Sequence, residues 1–246
     1  MNTKRIHLFC LILLSVLCVA KPQSKESCLT AYDYYIQGIQ FTNAENWYKA
    51  ARSYESSLNL DSTNQDAWYN LGIAYCQLQM WTRSIPAFIK AIKLKPDFYE
   101  AHNNLGLAYY KLKEYPSAEK YFNQSLAFNP EQAEAYRNLG ILLLETGMFT
   151  ESIPILVSAI SKYSNDPELY SGLGWALYNI GQFNNAVTAF QKSIDIRPKH
   201  VNTLYNLGLT YIEMDQKDFA SEIYYRLKKL DKITANSLDY LIQKMD

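Results

Sequence analysis

The stretch from Gln65 to Phe98, QDAWYNLGIAYCQLQMWTRSIPAFIKAIKLKPDF, decides the fold of this 246-residue chain. Its large residues recur every three or four positions, first around Leu71 and again around Phe88, and Pro96 stands near the end. This spacing places apolar side chains on one face of each of two successive helices. Proline then ends the second helix. The stretch therefore predicts a helical hairpin.

The same 34-residue unit recurs six times, from Ala31 to Thr234, without an inserted or deleted residue. Position 8 of the unit is always glycine, which accounts for six of the nine glycines of the chain: Gly38, Gly72, Gly106, Gly140, Gly174 and Gly208. Glycine inside a helix costs about 1 kcal/mol relative to alanine, so we expect a packing reason where the two helices cross. A period this regular predicts a stacked array.

The second unit shows the fullest pattern, with large residues, glycine and proline at fixed positions: Trp68, Leu71, Gly72, Tyr75, Trp81, Ser84, Phe88, Ala91 and Pro96. This pattern resembles the signature of the tetratricopeptide repeat (TPR). The resemblance implies an all-α fold, a right-handed superhelix or α-solenoid of six helix-turn-helix repeats plus a C-terminal capping helix. The predicted repeats are 31–64, 65–98, 99–132, 133–166, 167–200 and 201–234.

Two features of the array need separate predictions. Units two and four carry Pro86 and Pro154 near the beginning of their second helices. We predict that Thr82 and Thr150 are the N-caps, so that each proline removes at most one helical hydrogen bond. Beyond the array, the apolar residues of 235–246 follow helical spacing, which predicts a capping helix with a polar outer face.

The first twenty residues predict export. Lys4 and Arg5 precede an apolar run over 8–20, and a polar lead-in, 21–30, follows. This is typical of a secretory signal peptide cleaved after Ala20, and the run is shorter than the roughly 20 residues of a membrane-spanning helix. The prediction is an exported, periplasmic or envelope-associated protein in a bacterium, with secretion as the alternative.

The cysteines leave alternatives open. Lipidation at Cys18 would make the chain a lipoprotein and is the one route to a membrane, but the residues before Cys18 fit that pattern less well than Ala20 fits simple cleavage. After cleavage, Cys28 and Cys76 remain. In an oxidising compartment a disulfide between them and two unpaired thiols are equally open alternatives, because the sequence does not say whether Cys28 can reach Cys76.

Composition and motifs argue against chemistry and against nucleic acid. Lys plus Arg number 24 and Asp plus Glu number 24, so removal of Lys4 and Arg5 with the signal leaves 22 against 24 and no basic footprint. The three histidines have no partner at nucleophile or metal-ligand spacing. We therefore predict a non-enzymatic protein without catalytic residues, metal or cofactor.

The TPR resemblance implies a concave groove that holds a peptide or a partner helix and is lined by positions 2, 5, 6, 9, 12 and 13 of the first helices. Position 6 carries a row of asparagines, here called the asparagine ladder: Asn70, Asn104, Asn138 and Asn206. Gly172 interrupts the ladder. Asparagine suits a peptide backbone because it offers both a donor and an acceptor, yet it is also the common family residue at this position.

The neighbouring groove positions are aromatic, aliphatic or basic. The predicted partner-binding residues besides the ladder are Tyr69, Tyr110, Arg137, Trp175, Tyr178 and Tyr205. Trp175 and Tyr178 are the predicted aromatic anchor, because tyrosine and tryptophan supply much of the energy of protein interfaces. For the aliphatic residues at position 9, packing between units is the simpler explanation.

Two function classes follow. The first is a scaffold or adaptor that recruits a protein partner through the groove; its most concrete form resembles, in architecture, the outer-membrane TPR lipoproteins that assist type IV pilus assembly. The second is a self-associating structural protein, in which copies form a homo-oligomer through exposed ends.

Overall fold

The computed structural model describes residues 29–245, so the predicted signal, Cys18 and Cys28 lie outside the described residues. The described part consists of thirteen α-helices and has no strand, which confirms the all-α α-solenoid. In chain order these are α1 Ala31–Asn43, α2 Trp47–Leu60, α3 Gln65–Gln77, α4 Trp81–Leu94, α5 Tyr99–Lys111, α6 Tyr115–Phe128, α7 Ala133–Glu145, α8 Phe149–Lys162, α9 Pro167–Asn179, α10 Phe183–Ile196, α11 Val201–Glu213, α12 Lys217–Lys228 and α13 Lys232–Ile242.

Odd-numbered and even-numbered helices form two layers. Every helix packs against the next one along the chain, and α3, α5, α7, α9 and α11 also contact one another in sequence. The first helices of the units therefore form a continuous wall, which carries the predicted groove positions. Within the described residues, no helix is both long and apolar enough to cross a bilayer.

The glycines at position 8 have the predicted packing reason. In units one to five, a β-carbon built on the glycine would meet the buried side chain at position 24; on Gly106 it would lie 2.7 Å from Phe122 Cδ1, and on Gly174 it would lie 2.6 Å from Phe190 Cδ1. Such distances are far below van der Waals contact. Glycine thus allows the two helices of a hairpin to close over a large buried side chain.

The turn inside each hairpin has one recurring backbone conformation. Position 15 lies at positive φ in every unit, between 54° and 75°, in Glu45, Gln79, Lys113, Gly147, Gly181 and Asp215. The second helix then begins two residues later. Only two of these six residues are glycine, so the other four adopt the left-handed region at a steric cost that the packing of the hairpin offsets.

The predicted threonine N-caps are wrong. The helices with internal prolines begin at Trp81 and Phe149, and their N-cap positions are Met80 and Met148, which make no side-chain capping bond. The reason is that the left-handed turn at position 15 fixes where each second helix starts, whatever polar residue follows. The two prolines therefore lie two residues deeper in their helices than predicted.

The C-terminal end departs from the period. α12 ends at Lys228, and α13 begins at Lys232, three residues before the predicted boundary at 235. The carboxylate of Asp231 explains this start, because it accepts hydrogen bonds from the backbone nitrogens of Ile233 and Thr234. Leu238 of α13 packs over Gly208, the place that position 24 of the same unit fills in earlier units.

The outer face of α13 is less polar than predicted. The inward residues Leu238 and Ile242 are buried, as their spacing predicts. Ile233 and Tyr240, however, are 81% and 59% exposed. The end of the array therefore presents two apolar side chains among polar neighbours.

Candidate partner-binding groove

All ten predicted groove residues lie on the wall of first helices and are partly buried. They are distributed in pairs: Tyr69 and Asn70 on α3, Asn104 and Tyr110 on α5, Arg137 and Asn138 on α7, Trp175 and Tyr178 on α9, Tyr205 and Asn206 on α11. The structure brings some of them to shared cavities and ties others to neighbouring repeats.

Three members of the asparagine ladder bond to the preceding repeat. Asn70 Nδ2 donates to the hydroxyl of Tyr35 at 3.5 Å, and Asn104 Nδ2 donates to the hydroxyl of Tyr69 at 3.0 Å. Asn138 Nδ2 donates to Asn103 Oδ1, also at 3.0 Å. In each case position 6 of one unit meets position 5 of the unit before, so these amides hold adjacent first helices together.

Asn206 is in a different situation. Its counterpart at position 5 of the preceding unit is Ser171, whose hydroxyl accepts a hydrogen bond from Thr203 Oγ1 at 2.8 Å instead. Within residues 29–245 the side-chain amide of Asn206 makes no hydrogen bond. It is therefore the ladder member whose donor and acceptor are both available to a ligand.

A cavity of about 460 Å³ opens where Gly172 interrupts the ladder, and it is here called the Gly172 cavity. Its lining residues come from three successive first helices and the turn before the last of them: Arg137, Ile141, Glu168, Ser171, Gly172, Trp175, His200, Asn202 and Asn206. This volume lies within the roughly 300–1,000 Å³ of ordinary ligand pockets. Three predicted groove residues, on α7, α9 and α11, thus converge on one space.

A second, smaller cavity adjoins the first. It measures about 220 Å³ and is lined by Leu107, Tyr110, Lys111, Phe122, Arg137, Asn138 and Ile141. We call it the Tyr110 cavity. Because Arg137 and Ile141 line both spaces, the two cavities lie side by side, and together they are called the track, which extends across α5, α7, α9 and α11.

The track carries two cations at its Tyr110 end. Arg137 forms an ion pair through Nε with Asp166 at 3.5 Å, and within the described residues its guanidinium makes no other ion pair or hydrogen bond. Lys111 is exposed, with its ammonium 5.4 Å from the ring centroid of Tyr110. At the other end, Glu168 is already occupied, since Arg197 Nη1 lies 2.6 Å and His200 Nε2 lies 3.6 Å from its Oε1.

The predicted aromatic anchor is a stacked pair. The rings of Trp175 and Tyr178 lie 5.4 Å apart between centroids and 11° from parallel, and both pack partly against the core. Only Trp175 lines the Gly172 cavity. The ring of Tyr178 stacks against that of Trp175. Burial together with the Glu213 carboxylate raises the pKa of Tyr178.

Two predicted tyrosines lie apart from this track. Tyr69 packs on Phe98 with 4.7 Å between ring centroids, and burial together with Glu100 raises its pKa to about 12. Tyr205 lines a separate cavity of about 600 Å³ beside α13, together with the exposed Ile233 and Tyr240. Tyr69 therefore has a packing role, and Tyr205 belongs to the C-terminal end of the groove wall.

Family models match several of these hairpins. Models described as tetratricopeptide repeat match residues 99–132 and 201–234, and a model described as TPR repeat matches 74–113 and 174–215. The chain is a tetratricopeptide repeat protein. TPR proteins are generally non-catalytic interaction scaffolds.

Solved TPR structures share the fold at low sequence identity. YrrB, a TPR protein with an unusual peptide-binding site, is 21% identical with a TM-score of 0.71, over 78% of this chain and all of that one. PilF of Pseudomonas aeruginosa is 16% identical with a TM-score of 0.71, over 85% and 96%. MamA of Desulfovibrio magneticus RS-1 is 20% identical with a TM-score of 0.66, over 68% and 95%. No curated protein sequence matches the chain.

Sequence reasoning missed part of the cavity of this TPR protein. Glu168, Ser171 and Asn202 lie at the predicted groove positions 2 and 5 and line the Gly172 cavity, although they were not among the named groove residues, and His200 lies at no predicted groove position. The available signal was Gly172 itself, because a gap in a row of side chains leaves space for a ligand. His200 comes from the turn before α11, which a prediction limited to the faces of first helices leaves out.

Other polar groups of this TPR protein have structural explanations. His102 is 4% exposed, and its Nε2 lies 2.9 Å from the carbonyl oxygen of Pro96. At the same repeat position, the indole nitrogen of Trp68 donates to the carbonyl of Ser62 at 2.9 Å, so histidine here stands in for tryptophan. Within residues 29–245, no group of three or more metal-ligand side chains converges.

Cys76 belongs to the described residues, and its predicted disulfide partner Cys28 does not. The Cys76 side chain packs partly against the core around Phe88, and burial raises the pKa of its thiol. A raised pKa keeps the thiol protonated and less reactive at neutral pH. The disulfide stays a prediction.

Proposed function

We propose that this TPR protein is a non-catalytic scaffold that binds an extended segment of a protein partner along the track formed by the Gly172 cavity and the Tyr110 cavity. The observation that carries the proposal is the convergence of Arg137, Trp175 and the amide of Asn206 on one open space. A binding site for a peptide needs such a combination of an aromatic surface with a few polar groups that fix the backbone.

The four asparagines of the ladder have different roles in this proposal. Asn206 is the member assigned to the ligand backbone. Asn138 lines the Tyr110 cavity and keeps its Oδ1 as an acceptor for a ligand amide, while its Nδ2 bonds to Asn103. Asn70 and Asn104 are assigned to contacts between repeats, because a tyrosine hydroxyl already accepts a hydrogen bond from each.

The test is a comparative pull-down. The purified protein and the double variant Trp175→Ala, Asn206→Ala are incubated with an envelope extract of the source cells, and captured proteins are identified by mass spectrometry. Asn184→Ala, an exposed change on the second-helix layer, is the matched control. The proposal predicts a partner that the wild type and the control retain and the double variant loses.

Folding must be checked beside capture. The double variant should retain the helical circular dichroism of the wild type, because Trp175 and Asn206 are only partly buried. Equal capture by the wild type and a folded double variant would contradict the proposed site.

Export is a further part of the proposal. The basic residues, the apolar run and Ala20 support cleavage by a signal peptidase and an envelope location, with lipidation at Cys18 as the alternative. The intact mass of the mature protein distinguishes them: Lys21 as the first residue supports simple cleavage, and a chain that begins at Cys18 with added acyl mass supports the lipoprotein.

One observation favours a second candidate function, self-association. Ile233 and Tyr240 expose apolar surface at the end of the array, where a further unit would stack. If copies associate there, the mass in sedimentation equilibrium should rise with concentration, and Ile233→Asp should return it to the monomer value. A constant monomer mass would remove this candidate.

A further inference from the structure

The Gly172 cavity exists because one repeat lacks a side chain that the others have. Position 6 is asparagine in units two, three, four and six, and in three of these the amide extends toward position 5 of the preceding unit. In unit five that position is Gly172, and its counterpart at position 5 is Arg137. The absent side chain leaves an opening beside Arg137 in the wall of first helices, and Trp175 and Ile141 line it.

The packing around Gly172 does not require a glycine. A β-carbon there would meet only the end of a flexible side chain closely, Leu144 Cδ1 at 3.0 Å, whereas the glycines at position 8 face buried side chains at 2.4–2.7 Å. Nor does Gly172 lie at positive φ. Because the backbone conformation does not demand glycine and a small shift of the Leu144 methyl would admit a side chain here, the absence of one leaves room in the adjoining cavity.

The charges of the track indicate what surrounds that side chain. Lys111 and Arg137 line the adjoining Tyr110 cavity, and the one carboxylate among the described residues of the Gly172 cavity, Glu168, is paired with Arg197 and His200. Arg137 is itself paired with Asp166 at 3.5 Å, so the charge among these lining residues that has no ion-pair partner within residues 29–245 is that of Lys111, and it is positive. In an extended strand, alternate side chains point to the same face and lie roughly 7 Å apart, so residues two positions apart in one segment can enter the two adjoining cavities.

We propose that the Gly172 cavity is the specificity pocket of the groove and receives one large apolar side chain, aromatic or aliphatic, from an extended partner segment that places an acidic residue two positions away at Arg137 and Lys111. This inference rests on the proposed function, because it names the class of segment that the same groove binds. Trp175 stacks on or flanks the apolar side chain, and Asn206 holds the backbone beside it.

The first step of the test finds a ligand even though the natural partner is unidentified. A library of random twelve-residue peptides displayed on phage is selected on the purified protein. The expected result is enrichment of peptides with Asp or Glu two positions from Trp, Phe, Tyr, Leu or Met. Enriched peptides without this pattern, or no enrichment, would overturn the inference.

The second step fills the cavity. A fluorescein-labelled enriched peptide is titrated against wild type, Gly172→Asn and Gly181→Asn, and Kd is measured by fluorescence polarisation. Gly172→Asn introduces the residue that other units carry at position 6, so the fold should be retained. We expect it to raise Kd by about tenfold or more, since that factor corresponds to a modest part of the energy of burying a large apolar side chain.

Gly181→Asn is the matched control. It makes the same change in the same unit, at an exposed turn where a β-carbon meets nothing within 4 Å and where other units carry Glu, Gln, Lys or Asp. Kd should stay at the wild-type value. A peptide whose apolar residue is replaced by alanine should bind wild type and Gly172→Asn equally, which shows that both changes remove the same contact.

The two proposals fail in different ways. Unchanged Kd in a folded Gly172→Asn variant, with Kd raised by Trp175→Ala or Asn206→Ala, would overturn the specificity pocket and leave the groove as the binding site. Unchanged Kd in all three variants would overturn both, because the peptide would then bind outside the track.

Discussion

The first four units and the last two use the same sequence pattern in different ways. In units two to four, the groove asparagines bond backward to the preceding repeat, as Asn104 does to Tyr69. In units five and six, Gly172 replaces one asparagine, and Asn206 finds no partner within the described residues. A residue at a fixed repeat position is therefore structural or available for binding according to what the previous unit places opposite it.

The interior of the hairpins differs along the array as well. In units one to five the side chain at position 24 lies over the glycine at position 8, as Phe122 lies over Gly106. In unit six Leu238 from α13 takes that place, and Tyr224 at position 24 is only partly buried. The earlier units close on themselves, and the last one is closed by the helix that follows.

The largest effect on stability should come from the buried side chain at position 24 of the repeat. Phe122→Ala should lower the free energy of unfolding by about 3–5 kcal/mol, because it leaves a cavity beside Gly106. Tyr224→Ala, the same position in unit six, should cost clearly less because its ring is partly exposed. Urea denaturation followed by circular dichroism measures both, and equal losses would remove the distinction between the two regions.

The next contrast in stability should be between two glycine-to-alanine substitutions. Gly106→Ala brings a β-carbon 2.7 Å from Phe122 Cδ1 and 3.2 Å from the Ala118 carbonyl oxygen, so overpacking of about 1–3 kcal/mol should exceed the gain in helix propensity. Gly172→Ala should instead keep most of that gain, about 1 kcal/mol, and raise the urea midpoint. A fall in the midpoint for Gly172→Ala would show that unit five requires its glycine for packing.

Alanine substitutions of two ladder asparagines should give a smaller difference in stability. Asn104→Ala removes the hydrogen bond to Tyr69 and should lower stability by about 0.5–1.5 kcal/mol. Asn206→Ala should change stability by less than about 0.5 kcal/mol, because its amide bonds to nothing in the described residues. In peptide titrations the order should reverse, with Asn206→Ala weakening binding more. The same order in both measurements would contradict the division of the ladder.

The effect of Tyr69 is the smallest at neutral pH, because it appears only at high pH. Burial raises its pKa to about 12 in the folded state, so between roughly pH 10 and pH 12 the folded chain binds more protons than the unfolded one. Stability should therefore fall as pH rises through this window. Tyr69→Phe should make the decline shallower in thermal melts, and an unchanged slope would show that Tyr69 is not buried as the structure has it.

Much of this fold could be predicted from the sequence, because a gapless period repeats the same evidence six times. The hairpins, the close approach at position 8 and the inward residues of α13 all followed from spacing. The helix starts beside Pro86 and Pro154 could not be predicted from capping residues, since a left-handed turn residue such as Gln79 or Gly147 fixes them. That turn conformation shows no constant residue type in the sequence.

The candidate site was predicted less completely. The groove positions and the break at Gly172 could be recognised in the sequence. Whether a groove amide is free, however, depends on a hydrogen bond between units. The hydroxyl of Ser171, for example, accepts a hydrogen bond from Thr203 and not from Asn206. The length of a side chain in the neighbouring repeat decides such contacts. A pattern read within one repeat does not contain them.

The helix after the sixth unit is not built like the first helix of a repeat. A stack of identical hairpins has no intrinsic end, since every unit offers the next one the same surface. Continuing the period through α13, the place of the next position-8 glycine falls on Ile242, which is buried. A branched side chain at that point does not permit the close approach that glycine allows in the earlier hairpins, so α13 closes unit six and lacks the contact surface on which those hairpins depend.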